Sequence, residues 1–347
     1  MHVHPHTAAK MDQPVLWKPE RPVLTVVVDT EEEFDWDAPF DRAHKNTRSA
    51  TAQNLAHEIF DPLGIKPVYV VDQAIVDCDK ASSFFEDLHK KGCCEIGAHL
   101  HAWLTPPFDE EVSIKNSYQG NLPKELEYTK IKALRDSIGE RFGFNPTIFK
   151  AGRYGIGRNS FDILKDLGFT IDCSVVPYTT YHYGGGANFI GLPAFPFWLD
   201  GERKLLELPL TRGYTGSIAS LGGKMARVFD SPIARQFKVP AILSRSNIVK
   251  RITLTPEGVS AHDQKVLLRT LYDAGERFFS LAYHSSSLGV GHTPYVQSKG
   301  DLANFLGNLR EVLTFFKQDL GGNFVTATEV YKKIKFPSPN LSGPSHE

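Results

Sequence analysis

Short apolar segments alternate with amphipathic stretches along most of this chain. The run from Val23 to Val28 is almost entirely β-branched, which favours a strand buried on both faces. The apolar segments predict strands, which cover 23–28, 67–71, 94–98, 147–150, 169–173, 205–208 and 278–283. The amphipathic stretches predict helices, which cover 49–60, 82–91, 123–142, 160–167, 261–277 and 301–318. Seven or so strands, nearly all followed by a helix, favour a parallel β/α barrel over an open sheet.

One interval interrupts this pattern. Residues 174–258 hold three consecutive glycines, several prolines and many aromatic residues. We interpret them as an irregular insertion and not as a second core, although a length of 347 residues would allow two domains. Residues 1–22 and 337–347 have the composition of disordered tails. The expected organisation is therefore one α/β domain over 23–336.

Charge and composition exclude several partners. The chain has 39 Lys plus Arg against 40 Asp plus Glu, so no overall field attracts nucleic acid or an anionic membrane. No stretch approaches the ~18 apolar residues that a membrane span needs. The four cysteines show no CxxC spacing and are expected to be reduced thiols. We expect a cytoplasmic protein that recognises its substrate locally.

Polar residues follow the predicted strands at their carboxyl ends, the rim where a β/α barrel carries its catalytic groups. The residues at these ends are Asp29, Asp72, His99, Lys150, Asp172 and His284. Asp72 taken alone could simply cap the next helix. Asp29 ends the most apolar strand, where burying an unpaired carboxylate is costly, so it needs a cation, a metal or a catalytic role. The other acidic residues of this loop, Glu32, Glu33, Asp35 and Asp37, are expected to be solvated.

Two histidines stand one residue apart at the end of the strand 94–98. In an extended segment His99 and His101 share a face, roughly 6.6 Å apart, and can converge on one ion. The acidic segment Asp29-Thr30-Glu31 lies upstream. Two imidazoles and a carboxylate form the ligand set of a hydrolytic metal site with an open water position.

The order of these motifs resembles a known family, the NodB-homology polysaccharide deacetylases of carbohydrate esterase family 4. The resemblance rests on the acidic strand end, Glu-Ile-Gly-x-His at 95–99, Phe-Lys-Ala-Gly-Arg-Tyr-Gly at 149–155 and Leu-x-x-His at 281–284. The blocks at 97–103, 284–288 and 294–296 are most similar to the WalW-like branch, which is linked to lipopolysaccharide biosynthesis. The similarity covers roughly residues 23 to 335.

This resemblance implies a distorted (β/α)7 barrel and a divalent ion, often zinc, bound by one carboxylate and two histidines. The implied metal ligands are Glu31, His99 and His101. The implied catalytic residues are Asp29 as base, Lys150 or Arg153 as the cation that orients it, His284 as general acid, and Asp172 as the acidic partner of that acid.

Three positions depart from the family pattern. The usual adjacent Asp-Asp pair is here Asp29-x-Glu31, and the usual His-x3-His is here His99-x-His101. Trp103 occupies the place of the second histidine. Lys150 stands in the arginine column of the third motif, and Arg153 follows three residues later. These changes leave the ligand set chemically plausible.

The expected function is therefore metal-dependent hydrolysis that removes an acetyl group from an N-acetylated sugar or polysaccharide, in surface polysaccharide or lipopolysaccharide metabolism. A backbone N–H of the Tyr154-Gly155 loop is expected to stabilise the oxyanion. Trp103 and Tyr154 are candidate substrate-binding residues. Further aromatic residues could form a sugar-stacking wall or simply pack in the core, namely Tyr178, Tyr181, Tyr183 and Trp198.

Three other functions stay open at this stage. A glycoside hydrolase would use two carboxylates at the rim but leaves the histidine pair unexplained. A ferrous oxygenase also uses two histidines and a carboxylate, but such sites usually lie on antiparallel sheets. The third alternative is a metal-poor relative that binds sugar in a polysaccharide assembly system without catalysis.

Overall fold

The computed structural model describes residues 15, 17–36, 38–219 and 248–336, together with residues 224, 226, 229, 231, 234, 236 and 237. Of the predicted tails at 1–22 and 337–347, residues 1–14, 16 and 337–347 lie outside the described residues. Trp17, near the end of the first predicted tail, packs against the hydrophobic core. Among the described residues, no helix has both the length and the apolar composition that a membrane crossing requires.

The core is a curled sheet with an outer layer of helices. Its strands are β1 (Val23–Thr30), β2 (Val68–Val71), β3 (Glu95–Leu100), β4 (Ile148–Ala151), β5 (Ile171–Asp172), β6 (Phe197–Trp198), β7 (Leu206–Glu207), β10 (Phe278–His284) and β11 (Asn323–Phe324). Two further strands, β8 (Arg212–Thr215) and β9 (Lys250–Thr253), form a separate antiparallel pair. The sheet order is β10-β1-β2-β3-β4-β5-β7-β6, with β11 also paired to β1. All pairings in this sheet except β6 with β7 are parallel.

The α-helices with described bounds are α1 (Asn54–Leu63), α2 (Gln73–Asp77), α3 (Asp79–Lys90), α4 (Lys124–Phe142), α5 (Ser160–Asp166), α6 (Ala261–Asp273), α7 (Lys299–Gln318) and α8 (Ala327–Lys335). Most of them cross from one parallel strand to the next, which is the β/α alternation that the sequence predicts. The predicted α/β fold class, a distorted parallel barrel, is confirmed.

The curled sheet closes irregularly. The chain leaves β7 and reaches β10, where the Thr211 amide donates to the Ser280 carbonyl at 3.1 Å. The Ala282 amide donates to the Leu254 carbonyl at 3.3 Å. These isolated bonds join the two sides of the barrel. Among the described residues, no regular ladder of backbone hydrogen bonds joins them. The predicted insertion supplies β6, β8 and β9, short strands that the sequence patterns do not predict.

Strand β1 pairs with three other strands of the sheet, β10, β2 and β11. It is buried along its whole length, as its β-branched run predicts, and it pairs with β10 over seven consecutive residues. Asp29, the last residue of β1 that pairs with β10, lies opposite His284. The buried strand therefore places an acidic side chain at the carboxyl edge of the sheet.

Close backbone contact fixes the loops after β3 and β4 against each other. The Gly120 amide donates to the Gly155 carbonyl at 2.8 Å. Gly120 also lies directly on Gly157, so that a Cβ at residue 120 would lie 2.3 Å from the Gly157 nitrogen. Only glycine allows two main chains to approach this closely.

Replacing Gly120 with Ala is therefore expected to lower the free energy of unfolding by about 1–3 kcal/mol, because the clashing atoms belong to backbone that cannot turn aside. Gly307→Ala is the matched control, because Gly307 lies in α7 with no atom within 4 Å of the added Cβ. That change should leave stability unchanged or raise it by up to about 1 kcal/mol. Urea unfolding measures both, and equal stabilities of the two variants would contradict the close contact.

Candidate functional site

Parallel strands bring distant parts of the sequence to one edge of the sheet. The register of β1 with β10 places Asp29 beside His284, and that of β3 with β4 places His99 beside Lys150. A cavity of about 510 Å³ opens at this edge. Its lining includes seven of the candidate metal-binding, catalytic and substrate-binding residues, namely Asp29, Glu31, His99, His101, Arg153, Tyr154 and His284.

The three predicted metal ligands lie together on the cavity wall. Glu31 Oε2 is 3.3 Å from His99 Nε2 and 3.3 Å from His101 Nε2. One possible ligand atom from each residue lies within 4.8 Å of the others, and all three residues are buried. His99 is on β3 and His101 is the first residue beyond it, so the extended backbone directs both rings to the same side.

Hydrogen bonds orient both imidazoles. His99 Nδ1 lies 3.0 Å from the Lys150 carbonyl oxygen, which can only accept, so Nδ1 carries the proton. His101 Nδ1 lies 2.7 Å from Glu32 Oε2. Both contacts leave Nε2 facing Glu31, which is how metal-binding histidines are commonly held.

The acidic member of this cluster has unused binding capacity. Glu31 Oε1 is buried and has no hydrogen-bond partner among the described residues. Burial alone would raise the pKa of Glu31, but His284, His101 and His99 more than offset it and hold that pKa well below its usual range. An ionised carboxylate with a free oxygen and two imidazole nitrogens fits a divalent cation.

Glu32 corrects one expectation from the sequence. It was expected in a solvated loop, but its side chain is fully buried. It accepts hydrogen bonds from His101 and, at 3.2 Å, from Trp103 Nε1. Burial and the charge of Glu32 raise the pKa of Asp72 well above its usual value, so a protonated Asp72 can donate to Glu32. Asp72 also caps α2 by accepting from the Ile75 amide at 2.9 Å.

The neighbouring acidic residues are placed differently from one another. Glu33 is nearly buried and accepts from the Ser49 amide at 2.5 Å, so the solvated-loop expectation is wrong for it as well. Asp35 is exposed, as expected for a solvated residue, and lines the cavity. Asp37 lies outside the described residues.

The catalytic-base candidate has one clear cationic partner. Lys150 Nζ lies 2.5 Å from Asp29 Oδ1, and both side chains are buried. Arg153 reaches different groups, namely the hydroxyls of Ser117 and Tyr118. Of the two cations that the sequence left open, Lys150 is therefore the one in contact with Asp29.

His284 is held by an acidic residue that sequence reasoning missed. Its Nδ1 is 2.8 Å from Glu257 Oε2, while its Nε2 is 3.7 Å from Asp29 Oδ2. Burial favours the neutral ring, but Glu257, Glu31 and Asp29 outweigh it and raise the pKa of His284 to about 10. Glu257 stands at the end of the irregular insertion, where no strand was predicted, so only its acidic type could have drawn attention.

Asp172 does not contact His284. It is fully buried, hydrogen-bonds Ser174 at 2.5 Å and faces Glu207 on the adjacent strand. Burial raises the pKa of Asp172 to about 6, and burial with the charge of Asp172 raises that of Glu207 well above its usual value. The pair therefore shares a proton beneath Lys150 and leaves the role of acidic partner to Glu257.

Aromatic side chains form much of the cavity wall. Tyr154 and Tyr181 line it and stack at 5.6 Å between ring centroids. Trp36, which the sequence did not single out, lines it beside the ring of His284 at 5.0 Å. Trp103 is buried, stacks on His101 at 4.2 Å and does not belong to the lining. Its contacts support His101, and it does not reach the cavity.

The remaining aromatic candidates lie elsewhere. Tyr178 packs on Tyr214 at 5.4 Å, and Trp198 packs on Tyr331 at 5.9 Å. The side chain of Tyr183 lies outside the described residues. The Gly155 amide, one of the two expected oxyanion donors, donates to the Gly152 carbonyl at 3.0 Å.

Several solved structures resemble this one at low sequence identity. A protein assigned as a polysaccharide deacetylase from Mycobacterium smegmatis is 13% identical, with a TM-score of 0.55 over 93% of this chain and 93% of its own. Another with that assignment, from Pseudomonas aeruginosa PAO1, is 11% identical, with a TM-score of 0.53 over 94% and 99%. An allantoinase, Puue, is 12% identical, with a TM-score of 0.54 over 96% and 95%.

No protein-family model and no curated protein matches the sequence. The structural likeness extends over nearly the whole of each chain. It shows that this chain has the fold of these three proteins, a curled parallel β/α barrel.

Proposed function

We propose that this protein is a metal-dependent amide hydrolase that removes the acetyl group from an N-acetylated sugar or polysaccharide. The observation that carries the proposal is the convergence of Glu31, His99 and His101 in one cavity, next to an acid and a base that have separate buried partners. The assignments of two similar structures as polysaccharide deacetylases support the same chemistry.

Glu31, His99 and His101 would hold the ion, for which we propose zinc because nitrogen and carboxylate ligands suit it. When bound, the ion supplies Lewis acidity, which lowers the pKa of a water molecule and stabilises negative charge on the substrate oxygen. Glu32 holds His101 through Nδ1, and the Lys150 carbonyl holds His99 in the same way.

Asp29 is placed to act as the general base. Lys150 occupies Oδ1 and leaves Oδ2 on the side of His284. Oδ2 would take the proton of the attacking water, and the ammonium group of Lys150 fixes the carboxylate during this transfer. Positioned proton transfer of this kind contributes typically ~10²–10⁴-fold to a rate.

His284 is placed to act as the general acid. Glu257 accepts from Nδ1 and holds the ring with Nε2 towards the cavity. Nε2 would donate its proton to the leaving nitrogen, because the amine product leaves poorly without that proton. The raised pKa of His284 keeps this proton available at neutral pH.

The substrate class rests on the aromatic wall. Sugar rings pack on aromatic faces, and Tyr154, Tyr181 and Trp36 offer such faces within the cavity. A role in surface polysaccharide or lipopolysaccharide metabolism, membership of the WalW-like branch and a cytoplasmic location stay predictions from the sequence.

Replacing His101 with Ala is expected to abolish both metal binding and acetate release, because two ligands hold a divalent ion far more weakly than three. Metal content by mass spectrometry should fall from about one ion per chain to near none. His262→Ala, an exposed position, is the control and should keep both properties. Glycan binding by the wild-type protein with little bound metal and no acetate release from N-acetylated sugars would favour the non-catalytic alternative.

Replacing Glu257 with Gln should move the alkaline limb of the kcat/KM profile to lower pH. The general acid works only below its pKa, and removing the carboxylate lowers the pKa of His284. The limb should shift by about one pH unit or more, with metal content unchanged. Glu311→Gln, on the exposed face of α7, is the control. An unmoved alkaline limb would remove the His284–Glu257 pair from the mechanism.

A further inference from the structure

We propose that the substrate of this enzyme carries an anionic group, a carboxylate or a phosphate, which Arg153 binds inside the cavity. The inference deepens the proposed hydrolase function and rests on it for the identity of the cavity as the substrate site. Arg153 is available for this role because Lys150 is the cation in contact with Asp29.

Arg153 carries a charge that no carboxylate balances. Its Nη1 donates to Ser117 Oγ and, at 3.4 Å, to the Ile114 carbonyl, and its Nη2 donates to the Tyr118 hydroxyl at 2.9 Å. All of these acceptors are neutral. Among the described residues, no carboxylate lies within ion-pair distance of its guanidinium group. A partly buried cation in this state gains from any anion that enters the cavity.

Two aromatic rings hold the guanidinium group in place. Its central carbon lies 4.1 Å from the ring centroid of Tyr118 and 4.9 Å from that of Phe40. Both rings line the cavity together with Arg153. Contacts with ring faces leave the edge of the guanidinium plane for hydrogen bonds, the geometry in which arginine binds carboxylates and phosphates.

The backbone at this point is strained. Arg153 and Tyr154 both have a φ of 54°, a left-handed backbone conformation that residues other than glycine rarely adopt. Strain of this kind is retained where it positions functional side chains. Here it brings two successive side chains to the wall of the same cavity.

Arg153 also lies next to the reacting centre. A Cβ on the preceding residue, Gly152, would lie 2.4 Å from His101 Cδ2, so the segment that carries Arg153 packs directly on a proposed metal ligand. The other charged groups of the proposed reaction already have partners, namely Lys150 for Asp29 and Glu257 for His284. The unbalanced charge is thus close to the site of hydrolysis but outside its proton-transfer groups.

The test compares binding of N-acetylglucosamine with that of its 1-phosphate, its 6-phosphate and its uronic acid, by titration calorimetry on the metal-loaded protein. We expect at least one anionic ligand to bind about 10-fold or more tightly than the neutral sugar, as charge-assisted hydrogen bonds allow. The phosphates and the uronic acid separate the two anion chemistries.

Arg153→Gln should abolish this preference while changing the affinity for neutral N-acetylglucosamine much less. Arg153→Lys keeps the charge and should retain part of the preference, even if the uncharged variant proves unstable. Arg158→Gln is the matched control, because Arg158 is exposed five residues later and does not line the cavity.

Equal affinity of the wild-type protein for neutral and anionic sugars would overturn the inference, as would a preference that survives in Arg153→Gln. Loss of neutral and anionic binding alike would assign Arg153 to the support of the 114–118 segment and also overturn it. Acetate release is measured separately. An anion preference without acetate release would contradict the proposed hydrolase and leave the anion site standing.

Discussion

The parallel register of the central strands is the constraint on which the site depends. Asp29 and His284 are separated by most of the sequence, yet they are neighbours because β1 and β10 pair in parallel. The pairing of β3 with β4 does the same for His99 and Lys150. A slip of one residue would direct each of these side chains to the opposite face of the sheet. The β-branched core of β1 therefore fixes the geometry of the proposed site as well as the fold.

Buried charge is the second constraint, and it explains how the site is assembled. An ionised group in the core is tolerated only when a partner of opposite charge or a set of hydrogen bonds compensates it. Asp29 has Lys150, and His284 has Glu257. Asp172 and Glu207 share a proton because two adjacent buried carboxylates cannot both ionise easily. Glu31 keeps one buried oxygen without a hydrogen-bond partner, and Arg153 has no carboxylate within ion-pair distance among the described residues. We assign an ion to the first group and a substrate anion to the second.

The sequence predicts the parts of this arrangement that follow from periodicity. Runs of apolar residues identify β1 to β5, β7 and β10, and the i, i+2 spacing predicts the shared face of His99 and His101. The sequence does not identify the acidic partners of His101 and His284, because Glu32 and Glu257 lie in loops whose path depends on tertiary packing. Glu32 resembles any solvated loop residue until the chain folds over it. The choice between Lys150 and Arg153 likewise depends on the left-handed turn after β4, which no local pattern indicates.

The central claim is that Glu31, His99 and His101 bind one divalent ion. Anomalous diffraction at the zinc edge, from crystals grown with zinc, tests it most directly. The account predicts one strong peak about 2.0–2.2 Å from Nε2 of both histidines and from an oxygen of Glu31. A peak bound by other residues, or no peak within reach of these three side chains, would contradict it.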